Sequence, residues 1–188
     1  YYNSLGFRDA VIEKDTLYHN AVGNLNIDIQ LKEGRKYFFG NITWRGNTKY
    51  PDSLLSSILN IKKGEIYNRE ILYNKLGKTQ TAEGGDVSGL YQDDGYLFFN
   101  IDPIEILAEK DSIDFEIRIY EGKQATINKV SVTGNTKTNE HVIMREIRTK
   151  PGELFRRSDV IRSQEEINRL NYFNPQTLGV TPKPDPQT

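Results

Sequence analysis

The chain has 188 residues and a formal net charge of −1, which leaves room for one large domain or two to three small ones and supplies no basic excess for gripping nucleic acid. It contains no cysteine, which removes disulfides, thiolate metal sites and cysteine nucleophiles. Eleven Tyr and eight Phe beside many Ile and Leu make core material for a folded chain. No apolar run approaches the roughly 18–20 residues of a membrane-spanning helix.

In chain order, residues 7–17 read as a strand, followed by a polar hairpin at residues 18–24. In the next strand, Leu25, Ile27, Ile29 and Leu31 alternate with polar residues, as one buried face requires. Glu33-Gly34 ends it. Ile42-Thr43-Trp44 is a strand closed by Gly46-Asn47, a pair that suits a sharp turn. Leu54, Leu55, Ile58 and Leu59 share one helical face. Gly64 breaks the chain, and a second helix starts near Asn68, an N-cap candidate.

The Gly-rich polar stretch at residues 77–86 reads as a loop interrupting that second helix. The helix ends at Asp94-Gly95-Tyr96, with Gly95 in the left-handed conformation. A strand follows at residues 96–107, then a hairpin at 108–111, then an alternating strand carrying Ile113, Phe115, Ile117 and Ile119. Beyond it, Val130-Ser131-Val132 reads as a strand closed by Gly134-Asn135. Val142, Ile143 and Ile147 mark a helix capped by Thr138 or Asn139. After Gly152 another helix starts near Ser158 and ends at Leu170-Asn171-Tyr172, where Asn171 replaces Gly. Residues 177–181 read as a strand, and Pro182, Pro184 and Pro186 exclude a central strand after it.

This order repeats itself. Gly46-Asn47-Thr48-Lys49 returns as Gly134-Asn135-Thr136-Lys137, an offset of 88, which also maps Glu33-Gly34 onto Glu121-Gly122, Gly64-Glu65 onto Gly152-Glu153, and Leu25 onto Ile113. Residues 1–36 read as the C-terminal part of one repeat, 37–122 as a complete one, and 123–188 as one lacking its last strand. The fold class is α+β, with tandem β-α-α-β-β units, each packing two helices on one face of a three-stranded mixed sheet.

The β-α-α-β-β order, the Gly-Asn turn after the first strand and the Gly-Tyr or Asn-Tyr ending of the second helix resemble POTRA domains of BamA-type outer-membrane β-barrel assembly proteins. The last copy, with Val142 to Arg148, Gly152-Glu153, Ser158-Asp159-Val160 and Ile167 to Phe173, is similar to the POTRA domain nearest the barrel. The resemblance implies a scaffold at the periplasmic face of a Gram-negative outer membrane. Its implied partners are unfolded outer-membrane proteins, accessory lipoproteins and the protein's own C-terminal membrane barrel, with no nucleic acid, cofactor or enzymatic step. Related two-partner secretion or translocation barrels carry similar arms. A KH-like single-stranded nucleic-acid module is the remote alternative, but the helix–helix links Lys62-Lys63-Gly64-Glu65 and Lys150-Pro151-Gly152-Glu153 lack the basic Gly-x-x-Gly clamp.

Candidate sites follow from this pattern. A three-stranded sheet leaves edges open to strand addition, and by resemblance the open edge begins at Tyr96, Leu97, Phe98, Phe99, Asn100 and Ile101. Arg145, Arg148, Arg156 and Arg157 form a candidate partner-docking surface, in a stretch from Ala125 to Phe173 with nine Lys/Arg against six Asp/Glu. Gly46, Gly95, Gly134 and Asn171 are structural turns. His19 and His141, the two histidines, read as solvated side chains. Glu83-Gly84-Gly85-Asp86 lacks the alternating ligands of a calcium loop.

Overall fold

A computed structural model describes residues 2–79 and 85–183. Residues 1–79 with 101–119 form one compact unit, and residues 80–100 with 120–188 a second.

In the first unit a 3-10 turn, Tyr2–Leu5, precedes an antiparallel ribbon of β1 (Val11–His19) and β2 (Leu25–Lys32), with Leu17 opposite Ile27. Asn20 shapes the hairpin: its Oδ1 accepts the amides of Val22 and Asn24 at 3.0 and 2.9 Å, an Asx turn. Ile27 and Ile29 are each 58% exposed. The buried face expected of β2 is therefore not formed: no residue of the strand is buried, and its sheet has only two strands among the described residues.

The second sheet of this unit runs in the order β3-β5-β4, from β3 (Phe38–Arg45), β4 (Asn100–Glu109) and β5 (Ser112–Tyr120). β3 lies parallel to β5, Ile42 opposite Phe115, with a register shift between Phe39 and Ile42. Asp114 causes that irregularity: its carboxylate accepts the Asn41 amide at 2.6 Å, and a Cβ at Gly40 would collide with it. Ile113, Phe115, Ile117 and Ile119 of β5 are buried. They share the core with Leu55 and Leu59 of α1 (Asp52–Leu59) and Leu72 and Leu76 of α2 (Arg69–Leu76). Phe39, Tyr67 and Phe115 cluster with ring centroids 5.4 to 6.0 Å apart. Each such fully buried side chain is worth roughly 1.5–3 kcal/mol. Asn68 caps α2 by accepting the Ile71 amide at 3.0 Å, and Gly77 ends it at φ 79°.

The second unit opens with α3 (Val87–Asp93), whose N-cap Asp86 accepts the Gly89 amide at 2.6 Å. The second helix of the middle repeat is thus two helices, α2 and α3. Residues 80–84, the centre of the expected loop, lie outside the described residues, as do 184–188 with Pro184 and Pro186. Next come α4 (Glu140–Met144) and α5 (Arg157–Arg169). α4 stops short of Ile147, which continues in a turn with its amide on the Met144 carbonyl at 3.3 Å.

Several expectations are corrected here. Residues 96–99 are a turn and not a strand. Ser158 does not cap α5; it lies in the first turn, and its own amide donates to Asp93 Oδ1 at 2.7 Å. Residues 127–132 and 177–181 form no strand, although Thr126 bridges to Leu154. Alternation gives a segment strand propensity, but a strand exists only beside a ladder partner. The described part of the second unit provides none. The Leu178 amide instead closes a turn onto the Asn174 carbonyl at 3.1 Å.

Candidate functional site

β4 is the last strand of its sheet, bordered by β5 on one side, so along its other side a row of backbone groups has no strand partner among the described residues. Ile101 anchors the strand in the core at 2% exposure, while Asn100, Asp102, Glu105 and Ile106 are exposed. Two ion pairs brace it: Lys78 to Asp102 and Arg8 to Glu105, each at 2.5 Å. Pro103 stands within the strand, a residue that sheets confine to edges and bulges because it lacks the amide donor.

Of the six residues expected along this edge, Asn100 and Ile101 lie on β4. Tyr96, Leu97, Phe98 and Phe99 do not. Gly95, at φ 87°, turns the chain, and the Leu97 amide donates to the Gly95 carbonyl at 2.9 Å while that of Phe99 donates to Tyr96 at 3.1 Å. Phe99 stacks on buried Tyr91 with centroids 4.3 Å apart, and Tyr96 meets the same ring edge-on at 5.9 Å. Two of the four aromatic or apolar residues are therefore held by Tyr91, and Phe98 is left exposed.

Of the four arginines, Arg145, Arg148 and Arg156 are exposed and Arg157 is not. Arg145 Nε donates to Glu146 at 2.8 Å, and Arg148 grips Glu166 at 2.5 and 3.2 Å. The hydrogen bond from Arg148 holds the Glu166 carboxyl below the usual carboxylate range. Arg157 is taken up internally: its Nη1 lies 3.1 Å from both oxygens of Asp86, with side chains 17% and 4% exposed. That is a correction for Arg157, which faces a carboxylate of its own unit. Arg156 is exposed just before α5.

Gly46, Gly95, Gly134 and Asn171 have φ of 90°, 87°, 86° and 55°. At Gly46 a Cβ would also collide with the Ile119 carbonyl. His19 ends β1 and His141 lies in α4, both exposed. Among the described residues no group of three or more His, Asp or Glu could hold a metal, and no helix is long and apolar enough to cross a membrane.

A cleft that the sequence reading missed lies beside β4, lined by Tyr67, Arg69, Tyr73, Pro103 and Phe115 among others. Its one sequence signal is Arg69 four residues before Tyr73, a spacing that stacks the two on one helical face. The other lining residues are brought in from β4 and β5 by the sheet order.

This architecture is that of a known repeat. The family model described as POTRA, surface antigen variable number repeat, matches residues 37–122 and 125–188, and the chain belongs to the POTRA family. Among its curated relatives is the outer membrane protein assembly factor BamA of Neisseria meningitidis serogroup B, 26% identical over 186 residues, 97% of this chain and 22% of the relative. BamA of Nitratidesulfovibrio vulgaris is 30% identical over 178 residues, 94% of this chain and 22% of the relative. The chain thus spans about a fifth of the length of these relatives. The crystal structure of Haemophilus influenzae BamA POTRA3-5 superposes with a TM-score of 0.76 at 17% identity, covering 92% of this chain and 66% of that one, a likeness of fold.

Proposed function

We propose that this chain is part of a periplasmic scaffold in an outer-membrane protein assembly factor, where it receives unfolded β-barrel precursors by strand addition on β4. The open side of β4 in the β3-β5-β4 sheet carries the reading, because a backbone edge pairs with an extended segment while asking little of its side chains. That tolerance suits a receptor for many different clients. The relatives are outer membrane protein assembly factors, which supports this setting; in the same reading the arm also docks accessory lipoproteins, works with a membrane barrel of its own protein and holds clients without transforming them. Arg145, Arg148 and Arg156 are the docking candidates that remain once Arg157 is assigned to Asp86.

Titrating the 15N-labelled chain with a synthetic peptide copying one strand of an outer-membrane barrel tests this. Amide shifts should concentrate on residues 100–106 and on their β5 neighbours. Shifts confined to other elements, or none at millimolar peptide, would overturn strand addition at β4.

A further inference from the structure

The 3-10 turn, α3 and α5 each run out into a residue at positive φ: Gly6 at 95°, Gly95 at 87° and Asn171 at 55°. Two of these three ends are docking points for the repeat that follows. The Gly6 carbonyl accepts the Tyr37 amide at 2.8 Å, and the Gly95 carbonyl accepts the Ala125 amide at 2.7 Å. Both glycines are buried, whereas Asn171 is exposed. The aromatic residue after each end differs in the same sense: Phe7 and Tyr96 are half-buried, and Tyr172 is 65% exposed.

The turn alone asks for no glycine. Asparagine tolerates the left-handed conformation better than other side chains, and Asn171 adopts it at the third end. What glycine supplies is room. A Cβ at Gly6 would come within 2.9 Å of Ile66 Cγ2 and 3.2 Å of the Tyr37 carbonyl oxygen. One at Gly95 would come within 3.2 Å of Leu154 Cδ2 and 3.7 Å of the Ala125 carbonyl oxygen. In both cases those atoms belong to the following repeat. The carboxamide of an asparagine continues beyond Cβ into the same space, so that repeat would have to move away. Gly23, Gly64 and Gly152 also have positive φ, and a Cβ on them would meet nothing within 4 Å. Crowding is therefore a property of the two joints and not of left-handed turns in general.

We propose that the residue at the helix end decides whether another repeat docks behind it: glycine admits one, and Asn171 closes the array. The last repeat is then a cap, presenting a side chain where the two earlier helix ends present a socket. The inference stands on the joint geometry and needs nothing of the reading of β4 as a client edge.

Hydrogen exchange in the 188-residue chain tests the rule with Gly95→Asn, Gly6→Asn and, as a control at positive φ in open space, Gly152→Asn. Gly95→Asn should lower the protection of the Ala125 amide roughly tenfold or more, Gly6→Asn should do the same at Tyr37, and Gly152→Asn should spare Ala125. If Gly95→Asn unfolds its unit outright, Gly6→Asn decides, read at Tyr37. A loss below about tenfold in either folded joint variant, or an equal loss at Ala125 in Gly152→Asn, overturns the proposal. Closure at Asn171 itself is read from Asn171→Cys, labelled with a soluble maleimide in the 188-residue chain and in the full-length assembly factor. The two rates should agree within about fivefold, because access to the thiol limits the reaction. Any larger slowing in the full-length protein means that a following element docks there, and Asn171 closes nothing.

Discussion

The chain makes the same backbone joint twice, once in each unit. In the first, the Tyr37 amide donates to the Gly6 carbonyl at 2.8 Å, Tyr67 to Tyr37 at 2.9 Å, and Gly64 to Phe39 at 2.8 Å. In the second, Ala125 donates to Gly95 at 2.7 Å, Phe155 to Ala125 at 2.9 Å, and Gly152 to Ile127 at 2.7 Å. The helix-ending glycine has positive φ in both, and a Cβ would meet Ile66 in one and Leu154 in the other. An apolar residue against the glycine is common to both, Ile66 or Leu154, but the polar side chains around these bonds differ. The first joint uses the Tyr37 hydroxyl on Asp9 at 2.6 Å and the Asn68 amide on the Ser4 carbonyl at 2.9 Å. The second uses the Asp86–Arg157 pair, the Asp93 cap on Ser158, and Gln124 on the Asp94 carbonyl at 2.9 Å. Backbone geometry is what the repeat copies, and each joint has its own side-chain clamp.

The sharpest way to break the comparison is Arg157→Leu, which leaves the Asp86 carboxylate with the Gly89 amide as its one partner among the described residues. Losing one partner of a largely buried pair costs about 3 kcal/mol, and a denaturant titration should show the loss in the second unit. A melting curve unchanged by the substitution would mean that the pair clamps nothing. Next in size, Gly95→Val and Gly6→Val should each cost on the order of 1–2 kcal/mol or more, because a β-branched residue is strained at positive φ and its Cβ meets a packed side chain. If only one of the two destabilises, the joints are not equivalent.

The smallest effect belongs to Tyr37→Phe, about 1 kcal/mol for one hydrogen bond, and it carries a pH signature. The hydrogen bond to Asp9, with burial behind it, raises the Tyr37 pKa. A raised pKa in the fold means that the stabilisation is complete below the ordinary tyrosine value near 10 and is lost as pH rises through the folded value. Alkaline melts should therefore converge for wild type and Tyr37→Phe, while their gap persists at neutral pH. A gap that widens with alkali would reverse the assignment.

Much of the fold was legible because local chemistry dictates it. The alternation of β5 matches a strand buried on one face, and Gly77 and Asp86 bracket the division of the second helix with a left-handed end and an N-cap. What stayed hidden depends on residues far apart in sequence. Tyr96 to Phe99 reads as strand until Tyr91 claims two of its rings. Ser158 reads as a cap until Asp93, 65 residues away, supplies one. The cleft at Arg69 draws on α2, β4 and β5, so its lining follows from topology and no single stretch announces it. Residues 127–132 alternate but form no strand, because no ladder partner stands beside them among the described residues.

The break between α2 and α3 has a consequence. An unbroken helix would have no second N-terminus and no place for Asp86 to serve as one. The interruption makes that carboxylate an N-cap, where it also meets Arg157. A change that moves the start of α3 also moves the acid that grips α5, so the position of that one N-cap sets the second joint.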